Sequence, residues 1–195
     1  MTKCPEFNNW CFKLPSKKEN QYFVKISSKN EEEPAEPVFL QFGTNLNFKN
    51  GEETIELDLP DENQQKIVIA VDDYVIKTCK ENKEKWFNSQ DITDSNVDDA
   101  FYPSLSRKHS IKLRKSKDLI YFNSLKEKIS ENELDEKSKI SVAVMVEGVW
   151  FSKTRFGVTW KVIQLLHHDK KPIEKIGKCL FDNLEEDLDN VFPEL

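Results

Sequence analysis

Ile140-Ser141-Val142-Ala143-Val144-Met145-Val146-Glu147-Gly148-Val149-Trp150-Phe151 is the stretch that decides the fold class. Ile140, Val142, Val144 and Val146 alternate with Ser141, Ala143, Met145 and Glu147. Side chains of an extended chain point to opposite faces in turn, so this period of two reads as a β-strand. Its β-branched residues suit a pleated, half-buried surface. A polar turn, Ser152 to Gly157, leads into a second apolar run, Val158 to Leu166. Gly157 is read as a turn residue with positive φ that also lets a strand approach closely.

Upstream, Trp10 and Phe12 mark an N-terminal arm or first strand, and Tyr22 to Ile26 a short strand. Glu31-Glu32-Glu33-Pro34 belongs to an exposed loop, and Val38 to Phe42 suits a buried strand. Asn50-Gly51 signals a hairpin turn between Leu46-Phe48 and the alternating Ile55, Leu57 and Leu59. Asp61 follows Pro60 as the N-cap of one amphipathic helix of about 20 residues. Ile67, Val71, Tyr74, Val75 and Thr78 share its apolar face, and Trp86 closes the pattern. Gln90 to Asp99 reads as an acidic loop. Ile111-Leu113 and Leu119-Phe122 are two strands flanking a turn at Ser116-Lys117-Asp118. Residues 123–139 are a short helix or a connector.

Seven or eight strands with hairpin-like links and one major helix predict a mainly β, α+β fold. Its expected form is an antiparallel OB-like barrel or sandwich with the helix packed on it. The 195 residues suffice for one domain with a proper core. The expected division is a domain over 1–181 and an acidic tail over 182–195.

The net charge of −6 is unevenly spread. Residues 182–195 hold Asp182, Glu185, Glu186, Asp187, Asp189 and Glu194 with no basic residue, so residues 1–181 are formally neutral. Sign asymmetry of this kind says more about partners than the total does.

Cys4, Cys11, Cys79 and Cys179 form no Cys-x-x-Cys pair, which argues against a zinc site. Met1-Thr2-Lys3-Cys4-Pro5 lacks the apolar stretch of a signal peptide, and no run is long enough to span a bilayer. Four free thiols in a reducing intracellular compartment, away from membranes, are the expectation.

Catalytic patterns are missing. The five glycines build no phosphate loop, and there is neither a Gly-x-Ser-x-Gly elbow nor a His-Glu-x-x-His motif. His109, His167 and His168 read as polar residues at strand ends, Asp72-Asp73 as a solvated helix face and Asp98-Asp99 as loop. The chain is therefore expected to be no enzyme, with no catalytic residue, metal or cofactor.

The informative signal is cations interleaved with rings. Residues 103–128 carry eight basic residues, among them Lys112 and Arg114, against two acids, with Tyr102, Tyr121 and Phe122 alongside. Residues 152–178 carry seven, among them Lys153, Arg155 and Lys161, against two acids. Trp150, Phe151, Phe156 and Trp160 are interspersed. Cations that neutralise phosphates beside rings that stack on bases are what sequence-tolerant single-strand binding needs. Core packing is the competing role for the same aromatics.

Val144 to Phe151, followed by Lys153-Thr154-Arg155-Phe156-Gly157-Val158-Thr159-Trp160-Lys161-Val162-Ile163-Gln164, resembles a motif of the single-stranded-DNA-binding proteins of large DNA viruses. There a strand ending Gly-x-Trp-Phe turns through a basic Phe-Gly step into a Trp-Lys-Val-x-Gln strand. The match covers about 25 residues, with a looser upstream order of Val38 to Phe42, the helix, Trp86 and Tyr102-Pro103-Ser104-Leu105. The resemblance implies an OB-like core that coats exposed strands in viral DNA replication. It implies a location in the host nucleus or a cytoplasmic viral factory, and an acidic C-terminus that competes for the groove and recruits replication proteins. Leu184, Leu188, Val191 and Phe192 would give that tail an apolar edge; a disordered solubilising tail is the alternative.

The interleaved cations and rings, together with the resemblance, point to non-catalytic single-stranded-DNA binding. Lys112, Arg114, Lys153, Arg155 and Lys161 are the expected phosphate contacts, and Phe151, Phe156 and Trp160 the expected stacking rings, with Tyr121 a fourth. RNA in place of DNA and a homo-oligomer both stay open. The alternative is a protein-interaction or structural module without nucleic-acid affinity.

Overall fold

The computed structural model describes residues 6–18, 21–29, 38–42, 53–89, 91–134 and 139–168. In chain order the elements are β1 (Trp10–Phe12), β2 (Ser16–Lys18), β3 (Gln21–Ser28), β4 (Val38–Phe42), β5 (Thr54–Asp58), α1 (Glu62–Phe87), α2 (Asp94–Ala100), β6 (Phe101–Tyr102), β7 (Ser110–Phe122), β8 (Lys128–Ile129), β9 (Lys139–Phe151) and β10 (Phe156–His168).

The two apolar runs that decide the fold class form its central hairpin. β9 and β10 pair antiparallel from Phe151↔Phe156 to Lys139↔His168, with register shifts between Thr159 and Trp160 and between Val162 and Gln164. Along the other edge of β9, β3 pairs with residues 148–151 and β4 with residues 140–144. Along the other edge of β10 lie β7 and β6. The path runs β1-β3-β9-β10-β7-β5.

The fold class is mainly β, α+β and OB-like, with one major packed helix. Its sheet is mixed where antiparallel pairing throughout was expected: β6 and β7 run parallel to β10. The cause lies in the hairpin. β10 inserts between β9 and β7, and having reversed direction at residues 152–155 it lies antiparallel to the first and parallel to the second.

α1 begins at the expected cap, where the Asp61 carboxylate accepts from the amides of Asn63 and Gln64 at 2.8 and 3.1 Å. It runs for 26 residues and ends at Asn88 in the left-handed conformation. Ile67, Val68, Val71, Val75, Cys79 and Trp86 are buried along one side. Phe7 and Trp10 pack round Tyr74, while Trp86 and Phe87 meet Phe151 edge-on. The helix thus covers one face of the sheet over β1, β9 and β10.

Three local expectations are corrected. The stretch expected as an acidic loop to Asp99 holds most of α2, which runs on to Ala100 and is opened by a capping box in which Thr93 and Asn96 bond reciprocally. Ser116-Lys117-Asp118 is no turn: β7 is one 13-residue strand through it. The described part of 123–139 is a turn, the short β8 and a 3-10 turn at Glu131–Glu133. The Asn50-Gly51 turn and the tail over 182–195 lie outside the described residues. Thr54–Asp58, expected to leave that hairpin, pairs with β7. Cys11 and Cys79 are free; burial pushes the Cys79 thiol up to about 12. No helix among the described residues is long and apolar enough to cross a membrane.

Candidate nucleic-acid interface

The face that α1 leaves open is organised in rows across the strands. Cα partners Phe23↔Trp150, Trp150↔Gly157 and Gly157↔Tyr102 place one row over β3, β9, β10 and β6. Three strand spacings make that row about 14 Å long. Phe23 and Trp150 are half-buried, and Tyr102 is 53% exposed. The row is built around two glycines. A Cβ on Gly148 would lie 2.5 Å from the Phe23 ring, and one on Gly157 would lie 3.0 Å from the Trp150 ring. Each glycine therefore lets a ring settle on the sheet surface. Of the two roles expected of Gly157, the close approach is present and the positive φ is not.

Cations flank the row on both sides. The turn at Ser152, closed by Ser152 N–H donating to the Arg155 carbonyl at 2.7 Å, exposes Lys153 and Arg155. The Arg155 guanidinium lies 5.8 Å from the centre of the Tyr102 ring, a cation–π contact. Beyond the glycines, Lys161 on β10 is the register partner of Arg114 on β7, which in turn faces Thr54 on β5. Lys112 is exposed one pleat further along β7 and pairs across to Glu56.

An open cleft of about 730 Å³ runs between the ring row and the β7 cations. Tyr22, Phe23, Tyr102, Trp150, Lys112 and Arg114 are among its lining residues, and Val158 and Trp160 form part of its floor.

The floor is tied to α1 through a buried polar chain. Trp160 Nε1–H donates to Ser104 Oγ at 2.8 Å, and Ser104 donates its hydroxyl and its amide to the Asp72 carboxylate at 2.5 and 2.8 Å. Asp72, expected on a solvated face, is 6% exposed, and burial raises its pKa to about 6 despite the Ser104 hydrogen bonds. This chain anchors Tyr102-Pro103-Ser104 at the lip of the cleft.

The structure sets Arg114 beside Lys161, with Lys112 further along β7, and places Arg155 against Tyr102; Lys153 is exposed in the turn that joins β9 to β10. It separates the expected rings from them. Phe151, Phe156 and Trp160 are buried at 6, 0 and 2% exposure, so none offers a face to a base. Phe151 and Phe156 stack on each other in the core at 5.5 Å. Tyr121 is half-buried, its hydroxyl donates to Glu131 at 3.1 Å, and burial beside that carboxylate pushes the phenol up. The rings that line the cleft are Tyr22, Phe23, Tyr102, Trp150 and, from below, the buried Trp160. Alternation read onward from Ile140 assigns β9 the other way, burying Trp150 and exposing Phe151, because the register shift at Glu147 reverses which face each residue takes.

The histidines lie away from the cleft. His168 closes β10 beside Ser141 at 2.8 Å, and His167 is buried next to it. Asp98 and Asp99 sit on α2, where Asp98 pairs with Lys80 at 2.7 Å. Among the described residues no group of three His, Cys, Asp or Glu side chains is placed to hold a metal ion.

Two solved structures show some similarity to this chain. One is the single-stranded DNA-binding protein from bacteriophage Enc34 in complex with ssDNA, at 16% identity and a TM-score of 0.43, covering 79% of this chain and 93% of that one. The other is the same phage protein alone, at 13% identity and 0.47, covering 90% and 99%. These likenesses are loose, and the architecture above rests on its own strand pairings. No curated protein matches the chain. A family profile matches residues 44–180, and the chain belongs to that family, a family of unknown function (DUF5871).

Proposed function

We propose that this protein binds single-stranded nucleic acid without catalysis, on the face of the sheet that α1 leaves open. The observation that carries the reading is the surface row Phe23, Trp150 and Tyr102, set on glycines and bordered by Lys112, Arg114, Lys153, Arg155 and Lys161. Rings laid on a sheet present flat apolar faces that any base can stack on, at about 1–3 kcal/mol per base. The cations on either side neutralise phosphates without reading sequence. No base-reading module accompanies them, so the face accepts strands by shape and charge.

Coating of exposed strands during viral DNA replication is the role this reading favours, with DNA ahead of RNA. The intracellular sites of that replication are the corresponding location. The acidic segment 182–195, with six acids and no basic residue, competes with the strand for the cations and recruits replication proteins.

Fluorescence-anisotropy titration with a labelled dT 30-mer, at low and moderate salt, tests the reading. Salt-sensitive binding that strengthens on removal of residues 182–195 is the expected result. No binding by either form overturns it and directs the search to protein partners.

A further inference from the structure

Among the cations of this face stands a carboxylate that strand binding does not require. Glu147 lies where the register of β9 against β10 slips: Gly148 pairs with Thr159 and Val146 with Trp160, leaving Glu147 as a bulge without a partner on β10. The bulge turns its side chain toward two cations, with Oε2 3.6 Å from Arg114 Nη1 and Oε1 4.0 Å from Lys161 Nζ.

Both distances exceed hydrogen-bond range. Oε2 is buried and has no hydrogen-bond partner among the described residues. Buried carboxylate oxygens are ordinarily hydrogen-bonded, so this one is held by charge and not locked in place. Arg114 and Lys161 are neighbours across parallel strands, and their side chains stay 42 and 26% exposed. An anion arriving from solvent reaches them while the carboxylate occupies the space between.

We infer that Glu147 is a built-in competitor for phosphate. Its carboxylate takes the position between Arg114 and Lys161 that a backbone phosphate of the bound strand takes, and it withdraws on binding. The inference rests on the single-strand reading and deepens it. The consequence is a strand that leaves more readily, since affinity differences within one interface lie mainly in the off-rate.

Glu147→Gln keeps the shape of the side chain and removes its charge. Full-chain wild type and variant are titrated with the labelled dT 30-mer at a series of salt concentrations. Glu84→Gln, on the exposed side of α1, makes the same net-charge change elsewhere. Glu147→Gln is expected to bind about three- to tenfold more tightly. Its salt dependence should steepen by up to about one unit of slope, as one more phosphate contact becomes available. Glu84→Gln should change affinity less than about twofold. Glu147→Thr, whose β-branched side chain suits a strand, must move affinity in the same direction. If the wild type binds and neither Glu147 variant binds more tightly, the inference falls and the single-strand reading stands. If no protein binds, both fall.

Discussion

The indole of Trp150 rests on Gly157: a Cβ there would lie 3.0 Å from Trp150 Cζ2 and 2.9 Å from the Tyr102 carbonyl oxygen. The same relation holds one strand over, where a Cβ on Gly148 would meet the Val24 carbonyl at 2.3 Å and the Phe23 ring at 2.5 Å. Two rings lie down on the sheet because two residues have no side chain.

Alanine at these glycines therefore strains the sheet, and by unequal amounts. Gly157→Ala requires a shift of a few tenths of an ångström and should cost about 1–2 kcal/mol. Gly148→Ala forces backbone apart and should cost about 2–4 kcal/mol, at the upper end of overpacking effects. Urea unfolding of both variants checks the order; equal stabilities would contradict this account of the ring row.

Ring substitutions separate the surface from the core. Trp150→Ala and Tyr102→Ala should each lose about 1–3 kcal/mol of strand affinity. Phe156→Ala, at 0% exposure, should instead lose about 3–5 kcal/mol of stability. Affinity by anisotropy and stability by urea unfolding, measured on each variant, distinguish the two groups. Loss of affinity at unchanged stability in Phe156→Ala would reverse the assignment.

The strands, the helix cap and the cations were legible in the sequence because each is a local signal. Asp61 caps whatever the sheet does, and the alternation from Ile140 to Val146 needs no partner to be read. The rings were misassigned because their facing depends on register. On β9 the even-numbered residues Ile140, Val142, Val144 and Val146 are buried, but after Glu147 the odd-numbered Val149 and Phe151 are. The bulge at Glu147 reverses parity, turning Trp150 outward and Phe151 inward, and a one-residue slip exchanges every face beyond it. Parallel pairing of β7 with β10 is likewise a non-local outcome. The Thr93–Asn96 capping box is local, and it was overlooked among acidic residues.

Asp72 gives the fold a pH dependence of definite sign. Its carboxyl titrates near 6 in the folded state against 3.8 when unperturbed, chiefly through burial. Between those values the folded protein keeps a proton that the unfolded chain has released. Stability from this group is therefore present below about pH 4, falls as pH rises to about 6, and is lost above it. A shift of that size is worth about 3 kcal/mol. Unfolding free energies of wild type and Asp72→Asn, compared at pH 4 and pH 7, should diverge in that direction. Parallel pH profiles would show that the Ser104-bound carboxyl does not titrate in this window.

The central claim is that a single strand lies on the Phe23–Trp150–Tyr102 row. Of the four tryptophans, Trp10, Trp86 and Trp160 are buried, and Trp150 alone is half-exposed. Intrinsic tryptophan fluorescence sums all four, and comparison with Trp150→Phe isolates the share that Trp150 contributes during titration with dT 30-mer. The account predicts quenching in the wild type and little or none in Trp150→Phe, which keeps a stacking ring and should retain most of its affinity. Binding that leaves wild-type fluorescence unchanged, or quenching that persists in Trp150→Phe, would place the strand elsewhere.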